Sequence, residues 1–190
     1  MATFNIVSIC GSLRKGSFNA MVQRLLPSLA PDGMTIKPAP SFADFPLYNA
    51  DIQNSTGFPA PVNTLADAIR AADGVIFCTP EYNFSVPGGL KNAIDWASRP
   101  ARAGALHNKT VAVVGASTGQ FGALWAQQDL KRILGIAGAR VVGTEIPVSR
   151  APERFDAEGR LLDGEVFEQL RLHLTTLASE AVVVPERVAA

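Results

Sequence analysis

Short apolar runs of strand length alternate along this chain with longer segments of helical periodicity. The apolar runs cover about 4–9, 34–37, 74–79, 110–116 and 139–143. The helical segments cover about 18–29, 61–72, 88–97 and 123–136, with a last one near 164–182. Strands that alternate with helices form a parallel sheet covered on both faces. The pattern therefore predicts an α/β fold, a doubly wound five-stranded sheet of flavodoxin type with strand order 2-1-3-4-5.

The composition is that of one globular domain spanning residues 1–190. Hydrophobic residues make up 47% of the chain and charged residues 18%, which excludes a disordered chain. No apolar run reaches the roughly 20 residues of a membrane span, and no export leader precedes the first strand, so we expect a cytoplasmic protein without membrane insertion. The 17 basic residues balance the 17 acidic ones, which argues against nucleic acid as a partner. We expect residues 186–190 to fray.

A loop rich in Gly, Ser and Asn joins the first strand to the first helix. It reads GSLRKGSFN over residues 11–19. Leu13 breaks the Rossmann dinucleotide pattern, and Ser17 stands where a nucleoside-triphosphate loop needs lysine. A hydroxyl-lined loop with Arg14 and Lys15 at a helix N-terminus suits a terminal monophosphate. An ordinary strand-to-helix turn with a capping side chain is the alternative.

Two further loops follow the third and fourth strands, at the sheet edge where ligands bind in such folds. The first, residues 79–89, carries two aromatic side chains and an amide between prolines, which can flank a flat heteroaromatic ring. The second, residues 115–122, offers backbone N–H groups to a ring carbonyl or a developing negative charge. The irregular segments 38–60 and 144–163 have the length of functional or interfacial loops. Together the three strand-end loops predict one binding site.

The isolated cysteine, histidine and tryptophan residues have simpler interpretations. Cys10 and Cys78 each end an apolar strand, which is typical of small buried hydrophobic residues. His107 and His173 lack metal-ligand spacing, and we expect both at the surface. The two tryptophans are expected to pack in the core or at an interface. None of these residues predicts a metal site.

The strand-end loops resemble those of the NADPH-dependent FMN reductase family of flavodoxin-like flavoproteins, most closely its bacterial chromate and quinone reductase branch. The matching motifs are GSLRKGSFN at 11–19, TPEYNFSVPGGLKNAIDW at 79–96 and GASTGQFG at 115–122, and DFPLY at 44–48 is also in family style. The similarity runs from the first strand to the helix ending near Gly135.

The resemblance implies how the three loops bind FMN. The phosphate is held by the side chains of Ser12, Arg14, Ser17 and Asn19, with backbone contacts from Leu13 and Phe18. The isoalloxazine ring is lined by Pro80, Glu81, Tyr82 and Asn83. Its far edge is capped by Ser117, Thr118 and Gly119. We expect the backbone of Glu81 to contact the ring, and its carboxylate to turn toward a partner subunit.

The resemblance also implies an enzyme that takes electrons from NADPH or NADH. Two electrons pass through flavin N5 to quinones or other small oxidants, with chromate and other metal oxyanions as further acceptors. Because the flavin carries the chemistry, no catalytic side chain is assigned. The N–H groups of residues 117–119 are candidates for stabilising the reduced flavin. The alternative is a flavodoxin-like electron-transfer or FMN-binding protein without its own NAD(P)H reaction, which the balanced charge disfavours.

The relatives are usually dimers or tetramers with the flavin near an interface, so the resemblance implies a homo-oligomer. Three positions depart from the family pattern. Phe84 stands where close relatives often carry Tyr, which removes a hydroxyl that could bond across the interface. Trp125 and Gln128 stand where some relatives carry Arg and Tyr. These departures bear on any tetramer contact that uses those side chains, and both a dimer and a tetramer stay open.

Overall fold

A parallel sheet forms the centre of the computed structural model, which describes residues 3–182. Its main strands are β1 (Phe4–Cys10), β2 (Met34–Pro38), β3 (Gly74–Thr79), β4 (Thr110–Ala116) and β5 (Arg140–Val141). They are arranged in the order β2-β1-β3-β4-β5, with every pair parallel. The predicted fold class and strand order are therefore confirmed. The predicted frayed segment, 186–190, lies outside the described residues.

A sixth strand was not predicted. β6 (Pro147–Val148) lies inside the irregular segment 144–163 and pairs in parallel with the carboxyl end of β4. β5 pairs with the other end of β4, at Thr110 and Val111. The two short strands thus share one edge of β4, and the predicted fifth strand at 139–143 is shorter than expected. Two-residue strands carry no readable periodicity, which is why the sequence did not indicate β6.

Seven helices connect or cover the strands within the described residues. They are α1 (Phe18–Leu29), α2 (Ala50–Ser55), α3 (Ala60–Ala71), α4 (Gly88–Ala97), α5 (Leu124–Ile136), α6 (Ala151–Arg154) and α7 (Gly164–Val182). The five predicted helices are all present, and the short α2 and α6 were missed. α1 begins where the Ser17 hydroxyl accepts the N–H of Asn19, as its N-cap role requires. None of the helices in residues 3–182 has both the length and the apolar character to cross a membrane.

The two central strands are buried along their whole length, since helices cover both faces of the sheet. Every residue of β3 and β4 is buried. Leu26 of α1 and Leu174 of α7 fill the core on one face, and Leu90 of α4 belongs to the core on the other. Each fully buried side chain of this kind contributes about 1.5–3 kcal/mol. This packing fixes the carboxyl ends of β1, β3 and β4 side by side.

His173 lies in the interior, so its predicted surface position is wrong. A Cβ atom on Gly143 would stand 2.5 Å from the imidazole Cε1, which shows how closely the ring packs. Burial, and then the charge of the nearby Lys131, lower the pKa of His173 to about 4, and a hydrogen bond from the imidazole to the backbone of Val113 and the charge of Glu145 oppose this shift. The spacing from Leu170, Leu174 and Leu177 puts His173 on the apolar stripe of α7, a signal that the metal-spacing argument overlooked.

His107, Trp96 and Cys78 lie where we expected them. His107 is exposed, and Trp96 is buried in the core with its Nε1 donating to the carbonyl of Pro46 at 2.9 Å. Both cysteines are free, with Cys78 buried and Cys10 partly buried. Burial raises the pKa of each thiol. Both are therefore weak nucleophiles.

Candidate functional site

An open cavity of about 150 Å³ lies at the carboxyl ends of β1, β3 and β4. All three predicted loops contribute to its walls. Its lining residues are Ser12, Arg14, Ser17, Phe18, Asn19, Pro80, Glu81, Tyr82, Ala116, Ser117 and Thr118. Of the predicted site residues, Leu13, Asn83 and Gly119 lie outside this lining, and Ala116 was not predicted. The topology thus brings three segments that are far apart in sequence to one place.

The loop after β1 forms an anion-binding geometry at the start of α1. The Ser17 hydroxyl accepts the N–H of Asn19 at 3.2 Å, and the Ser12 hydroxyl accepts the N–H of Arg14 at 3.3 Å. Both hydroxyls are buried and keep their own O–H groups for donation. The N–H groups of Phe18 and Ala20, in the first turn, have no hydrogen-bond partner within residues 3–182. Two hydroxyls, free N–H groups and the positive helix end suit a phosphate.

The side chain of Asn19 is used differently from the others at this end of the cavity. It is buried, and both of its polar atoms bond to the backbone of Ala116 at the end of β4. Its own backbone N–H is taken by Ser17. Asn19 therefore fixes the loop of residues 11–19 against β4, and its amide keeps one N–H beyond these two bonds. The direct phosphate contact predicted for it stays a prediction.

A tight turn forms the wall that follows β3. Tyr82 and Ser85 exchange two backbone hydrogen bonds, at 3.0 and 3.1 Å. Both residues between them have positive φ, 52° at Asn83 and 60° at Phe84, as in a type I′ turn. Asn tolerates that conformation, whereas Phe is strained in it. The strained turn places Asn83 and Phe84 at an exposed tip and leaves Tyr82 along the cavity.

Two side-chain hydrogen bonds anchor this turn to helix α5. The Glu81 carboxylate accepts the N–H of Ala126 at 3.0 Å, and the Ser85 hydroxyl donates to Asp129 at 2.7 Å. The Ser85 bond, opposed by some desolvation and assisted by Arg132, lowers the pKa of Asp129. The Glu81 carboxylate thus caps a helix of its own chain, and the orientation toward a partner subunit that we expected stays a prediction. The position is favourable because the negative charge of a carboxylate is stabilised by the positive end of the helix dipole.

Three exposed aromatic side chains, Phe84, Phe121 and Trp125, cluster beside the turn, and we refer to them as the rim aromatics. Trp125 contacts both phenylalanines edge-on, with ring centroids 5.1 Å from Phe84 and 4.7 Å from Phe121. Phe84 is 69% exposed and Trp125 is 36% exposed. Trp125 therefore packs at the surface, in a cluster that joins the second and third loops of the site.

The loop that follows β4 is hydrogen-bonded to the segment that contains β6. The Ser117 N–H donates to the carbonyl of Val148 at 3.1 Å, and its carbonyl accepts the N–H of Ala151 at 3.0 Å. The N–H of Arg150 donates to the carbonyl of Gly119 at 2.9 Å. The Ser117 N–H is therefore occupied and unavailable to a ligand, contrary to our expectation. The N–H groups of Thr118 and Gly119 have no partner in the part of the chain that the structure describes.

Comparison with known proteins agrees with this architecture. The model of the NADPH-dependent FMN reductase family matches residues 4–153. The chain belongs to this family. The match extends beyond Gly135, where we expected the similarity to end, and includes β6 and most of α6. The family assignment makes the chain an oxidoreductase that works with FMN and NAD(P)H, and it disfavours the alternative of an electron-transfer protein.

Several known proteins are similar to this chain over nearly its whole length. A quinone reductase of Escherichia coli strain K12 is 53% identical over 173 residues, which cover 90% of this chain and 89% of that protein. An NAD(P)H-dependent FMN reductase of Pseudomonas aeruginosa is 42% identical, with 90% and 92% covered. Among solved structures, the flavoenzyme NAD(P)H:(acceptor) oxidoreductase FerB of Paracoccus denitrificans superposes with a TM-score of 0.82 at 32% identity, covering 95% of this chain and 98% of that one.

Proposed function

We propose that the 150 Å³ cavity binds FMN, with the phosphate at the start of α1 and the isoalloxazine ring between the other two loops. Ser12, Ser17 and Arg14 hold the phosphate in this proposal, with Leu13 and Phe18 contributing backbone contacts. Pro80, Glu81, Tyr82 and Asn83 line one side of the ring, and Thr118 and Gly119 present free N–H groups to its edge. The observation that carries the proposal is the convergence of buried hydroxyls and free N–H groups at one end of this cavity.

A larger cavity, of about 730 Å³, lies between α4 and α5, and we do not place the cofactor there. Most of its charged groups are already paired, since Lys91 bonds to Asp95 and Arg132 to Asp129. Its two serine hydroxyls are also occupied, since Ser85 donates to Asp129 and Ser98 donates to the Asp95 carbonyl. We therefore assign the cofactor to the smaller cavity, because its hydrogen-bond donors suit a phosphate.

FMN, when bound, supplies two-electron transfer between NAD(P)H and an acceptor. The side chains of this site bind and orient the group, and none of them is needed as an acid or base. Thr118 and Gly119 offer hydrogen-bond donors in a fixed loop, which stabilises negative charge at the ring edge. Ser117 positions that loop through its two backbone bonds to the β6 segment.

We infer that quinones and other small oxidants are the acceptors, because the Escherichia coli relative is a quinone reductase. Chromate is a further acceptor in this proposal. We also propose that residues 1–190 form one domain that works in the cytoplasm. The balance of 17 basic and 17 acidic residues supports a small-molecule partner over nucleic acid.

We propose that the protein works as a homo-oligomer, either a dimer or a tetramer. The rim aromatics support this, since large exposed aromatic side chains in one cluster are typical of interaction surfaces. Gly88, at the start of α4, has nothing within 4 Å of an added Cβ, which leaves room for a neighbouring chain. Sedimentation equilibrium of the purified protein measures the state directly. A monomer at micromolar concentration contradicts the proposal.

The experiment that tests the cofactor assignment is a titration of flavin-free protein with FMN and with riboflavin, followed by anaerobic addition of NADPH or NADH. We expect FMN to bind more tightly than riboflavin because riboflavin lacks the phosphate. We also expect reduction of the bound flavin by either nucleotide, and reoxidation by a quinone or by chromate. Equal affinity for FMN and riboflavin would contradict the phosphate site at α1. Bound FMN that neither nucleotide reduces would contradict the proposed reaction.

A further inference from the structure

Arg154 connects two parts of the molecule behind the cavity. Its Nε donates to the carbonyl of Ser149 at 2.7 Å, and its Nη2 donates to the Ser149 hydroxyl at 3.2 Å. Its Nη1 forms an ion pair with Asp163. Asp163 in turn accepts the N–H of Val166 at 3.0 Å, at the start of α7. One side chain therefore joins the segment after β6 to the beginning of the longest helix.

Ser149 belongs to the segment that holds the loop of residues 117–119. Val148 and Ala151 form both backbone bonds to Ser117, and Arg150 bonds to Gly119. The contact between the two segments is close, since a Cβ on Gly122 would lie 2.5 Å from the carbonyl carbon of Pro147. The loop therefore has little freedom to move independently of residues 147–151.

We propose that Arg154 is a positioning residue for the ring end of the flavin site, acting through Ser149 and the loop of residues 117–119. This inference rests on the proposed function, because it assumes that the loop contacts the isoalloxazine ring. Arg154 does not line the cavity, and within residues 3–182 none of its side-chain hydrogen bonds goes to the loop of residues 11–19 or to the turn after β3. In this proposal its effect passes from Ser149 to the loop of residues 117–119 through backbone hydrogen bonds.

The chemistry of arginine suits this role. A guanidinium presents several donors in a fixed plane, so it can bond to a carbonyl, a hydroxyl and a carboxylate at once. A lysine in the same place keeps the charge beside Asp163 but loses the fixed fork that bonds Ser149 twice. The arginine is about 29% exposed and Asp163 is 24% exposed, so the pair is partly shielded from water. We therefore expect the hydrogen bonds to Ser149 to matter more for the loop than the charge.

The test compares Arg154→Met with Arg160→Met, a matched control in the same irregular segment. Arg160 pairs with Asp156 and Glu158, and it bonds to nothing in the segment 147–151. Hydrogen exchange of the flavin-free, full-length proteins gives the first readout. We expect the amides of Ser117, Arg150 and Ala151 to lose about tenfold or more of their protection in Arg154→Met and to keep it in Arg160→Met.

The second readout is the affinity for FMN and for riboflavin. We expect Arg154→Met to weaken both by the same factor, about tenfold, because the two flavins share the ring and differ at the phosphate. Arg154→Lys should fall between wild type and Arg154→Met. If Arg154→Met does not fold, Arg154→Lys carries the test instead, since a lysine keeps the charge beside Asp163 and loses the paired hydrogen bonds to Ser149.

Three outcomes would overturn the inference. The first is unchanged exchange at Ser117 and Ala151, the second is equal flavin affinities for Arg154→Met and Arg160→Met, and the third is a loss of FMN affinity without a loss for riboflavin. Failure of the proposed function looks different, because wild-type protein would then bind neither flavin. The exchange experiment still decides whether Arg154 positions the loop in that case.

Discussion

The side chain of Asn19 and the backbone of Ala116 form two reciprocal hydrogen bonds. Asn19 Nδ2 donates to the Ala116 carbonyl at 2.8 Å, and the Ala116 N–H donates to Asn19 Oδ1 at 2.9 Å. Asn19 belongs to the first turn of α1, and Ala116 is the last residue of β4. The pair joins the end of the candidate site that we propose for the phosphate to the end that we propose for the ring. The Asn19 side chain thus pairs with the backbone N–H and carbonyl of Ala116, as a neighbouring strand does elsewhere in the sheet.

Replacing Asn19 with alanine should destabilise the fold. The change leaves a buried N–H and a buried carbonyl of Ala116 unpaired, and each such group costs about 1–3 kcal/mol. We expect the free energy of unfolding in urea to fall by about 2–4 kcal/mol. Asn63→Ala is the control, because the Asn63 side chain bonds to the Phe58 carbonyl at an exposed site. A similar loss in both variants would contradict the role given to the Asn19–Ala116 pair.

Ser12→Ala should weaken FMN binding and leave riboflavin binding unchanged. The variant removes a buried hydroxyl from the phosphate end of the cavity, and a lost bond to a charged group lowers affinity about tenfold or more. Fluorescence titration with both flavins measures the effect. Ser41→Ala is the matched control, since the Ser41 hydroxyl accepts the N–H of Ala43 at 3.1 Å in a similar local turn. Equal weakening for riboflavin would place Ser12 away from the phosphate.

Two substitutions at Phe84 separate backbone strain from side-chain packing. Both Phe84→Gly and Phe84→Ala remove the ring that contacts Trp125, but only glycine is unstrained at a φ of 60°. We therefore expect Phe84→Gly to be more stable than Phe84→Ala by about 1 kcal/mol in urea unfolding. The same two substitutions at Leu47, which is exposed and does not have positive φ, serve as the control. At Leu47 the glycine variant should be no more stable than the alanine variant.

The buried imidazole of His173 should make stability depend on pH in a defined window. Its pKa is lowered from 6.5 to about 4 by burial and Lys131, so the folded state binds this proton less readily than the unfolded state. The associated stability is fully present above pH 6.5, declines as the pH falls toward 4, and amounts to at most about 3 kcal/mol.

Urea unfolding between pH 4 and pH 8 measures this dependence. His173→Leu should flatten the curve within the window, whereas His107→Leu should not, because His107 is exposed. Glu145 forms an ion pair with Lys131 at 3.2 Å, and its pKa is lowered because its desolvation is outweighed by hydrogen bonds and the charge of Lys131. Its contribution is therefore lost at more acidic pH than that of His173. An unchanged slope in His173→Leu would show that another group controls the window.

The elements with strong periodicity were predictable from the sequence. The apolar run of β3 and the capped start of α1 at Ser17 lie where the pattern placed them, and parallel topology then brings their ends together. The convergence of the three loops at one cavity follows from that topology, and composition alone does not reveal it.

Other features depend on tertiary contacts that no local pattern encodes. β6 has two residues and forms only because β4 offers it a partner. The amide of Asn19 and the carboxylate of Glu81 have ordinary loop identities, and their partners, Ala116 and Ala126, are 97 and 45 residues away. The proposed role of Arg154 is of the same kind, since it depends on the contact between the segment that contains Ser149 and the loop of residues 117–119.

The division of one sheet edge between β5 and β6 has a consequence for association. Two strands of two residues each present very short stretches of backbone to a neighbouring molecule, and the chain leaves the sheet between them. The opposite edge, β2, ends in Pro38, which has no N–H to donate, and carries the exposed Lys37 beside it. Short strands, proline and lysine are what proteins use to prevent edge-to-edge strand pairing. The sheet edges are thereby protected from pairing with another chain through the backbone, so the homo-oligomer that we propose would use side-chain contacts instead.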